Sequence, residues 1–444
     1  MANVSQIIKN ELCSGCGVCA GVCPIAAIEM NFNAAGEYNP DVNDACTNCG
    51  LCLKVCPFFD PNPNEDEISD RQFKNIPDIN YNKQTGYYLD CFAGFAPEYR
   101  EISASGGLLS FTLQRLFGTG AITKAVCVIP NADPQKLFKF TVINSASELA
   151  AAAGSVYYPV EMSEIVREIT KTPGNYAVVG LPCFIKAIRN ATIINSTIKD
   201  RVKFCLGLTC GQLKSKYYTR YLACKAGLNE ELKSVKFRGK DLDRPVCIIH
   251  EFVPNSGRTV RVYWSDIIAK VFTGRMFALR ACSFCDDIFA ECADAVFMDA
   301  WHPKYSENPE GTSFVINRSL LLNEILSSSI TVQSVDIENV ILSQSGVINI
   351  KRSHLAYRLY LARKAGQPVP NTRILPLRKL NFFNRKEVEI KEALRAASKG
   401  LAETMSQNGS IDISKIDSDL KPLFVRQMFW ATIYKVLAIL LGRR

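Results

Sequence analysis

Between residues 121 and 189 the chain alternates short apolar runs with amphipathic periods. Residues 121–129 and 176–179 read as strands, the second expected to be buried, whereas residues 162–170 repeat apolar positions at helical spacing and residues 184–189 begin another helix. Strands taking turns with helices predict an α/β domain. Upstream, Leu108, Leu109, Phe111, Leu113 and Leu116 mark a helix entered through Ser103-Ala104-Ser105-Gly106-Gly107. Residues 60–70 hold two prolines among polar and acidic residues, and with the following stretch to about residue 85 they read as a linker unable to support a core. Toward the end, residues 384–405 form a polar helical pattern and Asn408-Gly409-Ser410 a break. Residues 423–441 are nearly all apolar, interrupted by Arg426, Gln427 and Lys435 and followed by Arg443-Arg444.

At 444 residues the chain has room for roughly three domains. Its 48% hydrophobic and 21% charged residues describe a globular protein. The net charge of +9 is spread along the chain and calls for no nucleic acid. Neither a Rossmann glycine fingerprint nor a Walker-type phosphate loop is present, which leaves a standard NAD site unsupported.

Cysteine changes the picture. Cys13, Cys16, Cys19 and Cys23 precede Pro24, and Cys46, Cys49, Cys52 and Cys56 precede Pro57, so a C-x2-C-x2-C-x3-C-P run occurs twice. In the bacterial ferredoxin arrangement, three cysteines of a run hold one 4Fe-4S cluster and the fourth completes the other. Cys13, Cys16, Cys19 and Cys56 are therefore assigned to one cluster, and Cys46, Cys49, Cys52 and Cys23 to the second. Gly15, Gly17 and Gly50 supply the tight returns between ligands, and each proline suits the first turn of a helix. Zinc knuckles are the alternative, but they usually separate two C-x2-C pairs by a longer loop. Clusters that need free thiolates place the protein in a reducing cytoplasm, and the residues before Cys13 are too few and too polar for a secretory signal.

Three further cysteine segments follow: Gly180-Leu181-Pro182-Cys183 at a strand-to-helix junction, Thr209-Cys210-Gly211, and Cys282-Ser283-Phe284-Cys285. From spacing alone, a third cluster and ordinary core packing are both open. The serine-glycine segment before Leu108 likewise reads either as a simple helix cap or as an anion site at a helix N-terminus.

In order and number these motifs resemble the family of coenzyme F-420 hydrogenase/dehydrogenase beta subunits, in the form with an N-terminal two-cluster ferredoxin. The resemblance runs from Cys13 to Arg318, and also rests on Arg100, Phe237-Arg238-Gly239-Lys240, Ala293-Asp294 and Asp299. It implies a ferredoxin-like α+β domain over residues 1–60, the linker over 61–85, an N-terminal beta-subunit region over 86–175, an α/β core binding FAD and a 4Fe-4S cluster over 176–345, and a helical extension over 346–444. Cys183, Cys210, Cys282 and Cys285 match the family's ligands for a third cluster, with Cys205 and Cys292 as substitutes. Cys91, Cys127, Cys224 and Cys247 are then core or surface thiols. Ser103, Ser105, Gly106 and Gly107 match its flavin loop, and Arg100, Arg238 and Lys240 are charge partners for a pyrophosphate or an acidic coenzyme. Two departures bear on coenzyme choice: Met298 stands before Asp299 where the family often has glycine, and Phe184 follows Cys183 where many relatives have glutamine.

The implied activity is an iron-sulfur flavoprotein oxidoreductase, moving electrons between a hydride carrier (reduced deazaflavin or NAD(P)H) or ferredoxin and another acceptor. No triad of catalytic side chains is expected, and only three histidines occur. The rival is a non-catalytic electron relay or scaffold in a larger redox complex. Relatives in surface-polysaccharide pathways would favour membrane proximity. A basic residue near the centre of a spanning helix costs roughly 2.5 to 3.5 kcal/mol, so residues 423–441 are expected to lie on the inner face of the membrane or dock on protein rather than cross.

Overall fold

The computed structural model describes residues 3–244, 248–408 and 412–440; Cys247 and the Gly409-Ser410 part of the expected break lie outside them. Near the N-terminus, β1 (Ile28–Phe32) and β2 (Tyr38–Val42) pair antiparallel beside the short helices Val18–Gly21 and Leu51–Lys54. Gly17 and Gly50 open these helices at φ +78° and +76°, a left-handed conformation that a side chain would strain. Pro24 and Pro57 start turns, not the helices expected of them. The Ala26 amide donates to Cys23 O, and that of Phe59 to Cys56 O, so each proline takes the second place of a tight turn, where its fixed φ fits.

The segment expected as a linker is ordered and packed. Helix Glu65–Phe73 begins with a reciprocal capping box between Asn64 and Glu67, and its three first-turn acids face the positive end of the helix dipole. Ile68 and Phe73 are buried, Glu65 pairs with Lys186 at 3.0 Å, and β3 (Asn80–Asn82) and β4 (Gly86–Tyr88) close a hairpin. The prolines sit ahead of the helix rather than inside it, and buried partners satisfy the polar residues.

The main sheet has eight strands: β5 (Asp90–Gly94), β6 (Lys124–Pro130), β7 (Phe138–Ile143), β8 (Tyr176–Gly180), β9 (Val202–Leu208), and, past a small antiparallel sheet of β10 (Leu232–Lys236), β11 (Ile249–Pro254) and β12 (Val260–Tyr263), β13 (Ala295–Asp299), β14 (Ser313–Asn317) and β15 (Val332–Ser334). Their order is β15-β5-β14-β13-β9-β8-β6-β7. Strands β6, β8, β9 and β13 are parallel, flanked by antiparallel edges, giving a mixed α/β fold. The strand expected at 121–129 starts at Lys124. Helices Ser163–Lys171 and Pro182–Ile194 stand where the apolar periods put them.

Alternation along the strands divides the core. Val126, Val178, Val296 and Phe314 face the layer that includes the N-terminal segment, whereas Ala125, Val179, Phe297 and Val315 face helices Leu108–Gly118 and Leu320–Ser327. The N-terminal segment shares the first layer so closely that a β-carbon on Gly17 would come within 2.9 Å of the Met162 amide nitrogen, and one on Gly21 would collide with Val166. The Met162 amide also donates to Cys16 O at 3.0 Å.

From Ile337 the described chain is built from helices, the last two being Phe382–Asn408 and Ile413–Leu440. The first half of the terminal helix docks on its own protein, with Leu420 and Phe424 buried, whereas Val425, Met428, Phe429, Tyr434, Val436 and Leu437 are exposed. Trp430 is half-buried against Phe382 and Phe383. No helix among the described residues is long and apolar enough to cross a membrane.

Candidate redox site

Parallel strands aim their carboxyl ends the same way, and ligands of such sheets settle in the crevice outside those ends. Here a cavity of about 340 Å³ lies there, lined at the ends of β8, β9 and β13 by Gly180 and Leu181, Thr209 and Cys210, and Met298 and Asp299. Helix Leu108–Gly118 starts beside it. Gly107 enters this helix at φ +81° with no side-chain cap, and Leu108, Leu109 and Ser110 of the first turn line the cavity. Unpaired first-turn amides and the helix dipole favour an anion in such a place.

The serine-glycine loop is held from behind. Ser103, Ser105 and Gly107 border the cavity, while Gly106 lies against the sheet, where an added β-carbon would collide with Gly94 O and come within 2.7 Å of the Ser313 nitrogen. Ser105 Oγ donates to Thr312 O at 2.6 Å. Lys240, its pKa lowered to about 8 by burial and by Arg100, donates to the carbonyls of Arg100, Ser105 and Glu310. Arg100 stacks on Phe95 and spends its guanidinium on Gly311 O and Glu310. Neither Arg100 nor Lys240 lines the cavity; Lys240 fastens the loop's backbone, and Arg100 ties the chain just ahead of the loop to residues 310 and 311. Arg238 does line it, gripping Asp299 through two hydrogen bonds of 2.8 and 3.1 Å.

Arg238 Nε, Thr209 Oγ1 and Gln212 Oε1 are buried around this cavity without a hydrogen-bond partner. Buried polar atoms are rarely left so, and three on one cavity suit a polar, phosphate-bearing ligand. Sequence reasoning missed Tyr157, Lys214, Phe272, Trp301, Gln344 and Val347, which also line it. Lys214 is buried, donates to Met276 O at 2.7 Å, and is pushed well below the ordinary lysine range by burial and by Arg275. Nothing in its local sequence distinguishes it. Phe184, one of the departures from the family pattern, sits on the cavity wall and packs on Phe140.

The cysteines gather in three groups. Cys13, Cys16, Cys19 and Cys56 line one small cavity. The thiol of Cys52 is pushed up by burial and then by Cys46 and Cys49; Cys49 is exposed, and Cys23 Sγ accepts from the Ala27 amide. Cys183 is pushed well up, first by burial and then by Cys285, Cys210, Cys282 and Cys16, so it neighbours both the later cysteines and the first group. Cys205 neighbours Arg189 and Asp294, and Cys292 lies by Glu65, Asp287, Lys186 and Arg189, apart from the four. Cys91 and Cys127 are core thiols, Cys127 on the cavity wall, and Cys224 is buried.

In the buried thiols Cys13, Cys56, Cys183, Cys210 and Cys285 burial disfavours the thiolate unless a cation stands beside it, and cluster iron would be such a cation. Among the described residues no three His, Cys, Asp or Glu side chains converge on a single ion. A four-iron cluster takes one thiolate per iron and so asks for four spread cysteines rather than a single-ion site. Two donors already aim at the third group: the Leu213 amide at Cys282 Sγ (3.1 Å) and Lys351 Nζ at Cys285 Sγ (3.2 Å).

Residues 12–59 match the 4Fe-4S dicluster domain. Residues 91–167 match the N-terminal part of the coenzyme F420 hydrogenase/dehydrogenase beta subunit, and residues 174–341 match its C terminus. The chain is 25% identical over 209 residues to the F component of the F(420)H(2) dehydrogenase of Methanosarcina mazei, a match that covers 47% of this chain and 55% of the relative's own length. A chain of the xenon-derivatised F420-reducing [NiFe] hydrogenase complex from Methanosarcina barkeri superimposes with a TM-score of 0.49 at 16% identity, covering 66% of this chain and 98% of that one. With both halves matched in order over more than half the length, and a dicluster domain ahead of them, the chain belongs to the family of coenzyme F420 hydrogenase/dehydrogenase beta subunits.

Proposed function

We propose that the protein is an oxidoreductase that passes electrons between a hydride carrier and one-electron partners, through FAD in the large cavity and three 4Fe-4S clusters. The observation that carries this reading is the order of the parts. Cys210 borders the cavity and belongs to the group around Cys183, Cys183 neighbours Cys16, and Cys19 of that set neighbours Cys52 of the outermost group, where Cys49 reaches the surface. A bound flavin takes a hydride as two electrons and gives them up singly, which is the conversion such an order serves.

This chain's residues do the holding. The first turn of Leu108–Gly118 and the Ser105 amide would receive the pyrophosphate, while Lys240 holds that loop from behind and Arg100 ties the chain ahead of it to Gly311 and Glu310. Arg238, fixed by Asp299, lines the cavity beside Tyr157, and the rings of Tyr157, Phe272 and Trp301 supply walls that keep water out. The two-electron donor is a reduced deazaflavin or NAD(P)H, with reduced ferredoxin as the one-electron alternative. The exposed far half of the terminal helix suits an anionic lipid surface, since the sequence holds no acid after Asp419 but does hold Lys421, Arg426, Lys435, Arg443 and Arg444.

Full-length protein purified without oxygen is expected to hold about twelve irons and one flavin per chain. Ser110→Trp, which fills the cavity from the first helical turn, is expected to lose the flavin, keep the iron, and no longer bleach when mixed with whichever of NADH, NADPH or reduced deazaflavin bleaches the native protein. Four or fewer irons without flavin in the native protein overturns the reading. Full electron-transfer activity in a flavin-free Ser110→Trp variant puts a plain relay in its place.

A further inference from the structure

Helix Ser345–Lys351 begins just past the end of the family match at residue 341, yet it runs along the redox core. Gln344, just ahead of it, and Val347 within it line the cavity, and Val347 Cγ1 is the atom nearest to where a β-carbon on Gly211, next to Cys210, would stand. At its end Lys351 is 2% exposed, with Nζ 2.8 Å from Asp287 O and 3.2 Å from Cys285 Sγ.

Among the described residues no carboxylate lies within ion-pair distance of this ammonium; its partners are a carbonyl and a cysteine sulfur. A buried charge without a counter-ion costs several kcal/mol, and lysine commonly escapes by losing its proton. Lys214 donates to carbonyls among aromatic rings, and burial and Arg275 lower its pKa well below the ordinary lysine range. Lys351 differs in what faces it: Cys285, with Cys210 and Cys282 close by. An anionic cluster on those sulfurs would be the counter-ion that this buried Nζ otherwise lacks.

We infer that Lys351 is a positioning residue of the third cluster, whose buried charge and hydrogen bond to Cys285 Sγ hold the cluster's reduction potential up. The inference rests on the assignment of that cluster to Cys183, Cys210, Cys282 and Cys285. One electron enters on reduction, no bond forms or breaks, and the added negative charge is stabilised by the adjacent cation. Hydrogen bonds to ligand sulfurs and net local charge are among the factors that set cluster potentials.

The test is an EPR-monitored redox titration, with iron counts, of full-length native protein, Lys351→Met, Lys351→Arg and Cys183→Ala. In Lys351→Met the reduced-to-oxidised ratio of one cluster at fixed potential is expected to fall about tenfold, or ~59 mV for a one-electron couple, with the other two unmoved and Lys351→Arg near native. Loss of about four irons from Lys351→Met but not from Lys351→Arg supports the same role of the charge. A native potential in Lys351→Met, or equal effects in both variants, overturns the inference while leaving the cluster in place. If Cys183→Ala keeps every iron and every signal of the native protein, the cluster assignment itself falls and the inference with it.

Discussion

His250 is sealed where no proton can reach it cheaply. Its Nδ1 donates to Phe237 O at 2.7 Å and its Nε2 accepts from the Tyr218 hydroxyl at 2.9 Å, so the neutral ring has both nitrogens satisfied. Burial lowers its pKa to about 4. A folded pKa below the unfolded value of about 6.5 means that the unfolded chain binds the proton first, so stability from this residue is complete above pH ~6.5 and is lost as pH falls toward 4. The stability difference between native protein and His250→Gln is expected to shrink over that window, and the labelled His250 resonance to stay unprotonated from pH 8 to 5; a midpoint near 6.5 would refute this. Residues with inherent chemistry were readable in advance, because iron-sulfur ligation imposes its own spacing on cysteine. Residues such as Lys214 and Tyr157 were not, since their meaning comes from what tertiary packing sets beside them.

Among the elements, β6, β8 and helices Ser163–Lys171 and Pro182–Ile194 were legible, β8 because burial on both sides of a parallel sheet writes a continuous apolar run, whereas the edge strand β7, with only its ends buried, was not. The helix Glu65–Phe73 was obscured by its polarity, its stability coming from a capping box and a buried ion pair rather than a wide apolar stripe. That makes it sensitive at its cap. Asn64→Ala is expected to cost about 1 kcal/mol locally, speeding hydrogen exchange of the first-turn amides roughly fivefold, with no change in iron content. Unchanged exchange would mean that the Glu65–Lys186 pair alone holds the helix end.

At the scale of the whole molecule, Arg373, from the segment just ahead of helix Phe382–Asn408, joins Asp66, Asp286 and Glu291, and Arg318 donates from full burial to the carbonyls of Thr85, Tyr87, Phe289, Ala290 and Ala293. Segments far apart in sequence are thereby tied around the third cysteine group, which no local pattern announces. The cavity was illegible for the same reason: its walls come from residues 103–110, 209–214, 238, 299 and 344. The terminal helix carries a prediction at this scale. Cosedimentation with vesicles of anionic lipid is expected, abolished when Met428, Phe429 and Leu437 are replaced together by Ser; equal binding to neutral vesicles, or none to either, would remove the lipid role.

The contact of Gly17 and Gly21 with helix Ser163–Lys171 has one more consequence. A cluster-bearing segment packed that tightly is no swinging arm: it does not ferry charge by diffusing between docking positions, as a tethered carrier does. On the proposed path, traffic between Cys49 at the surface and Cys183 inside would proceed by jumps over fixed gaps, its internal rate belonging to the protein's geometry rather than to the viscosity of the solvent around it.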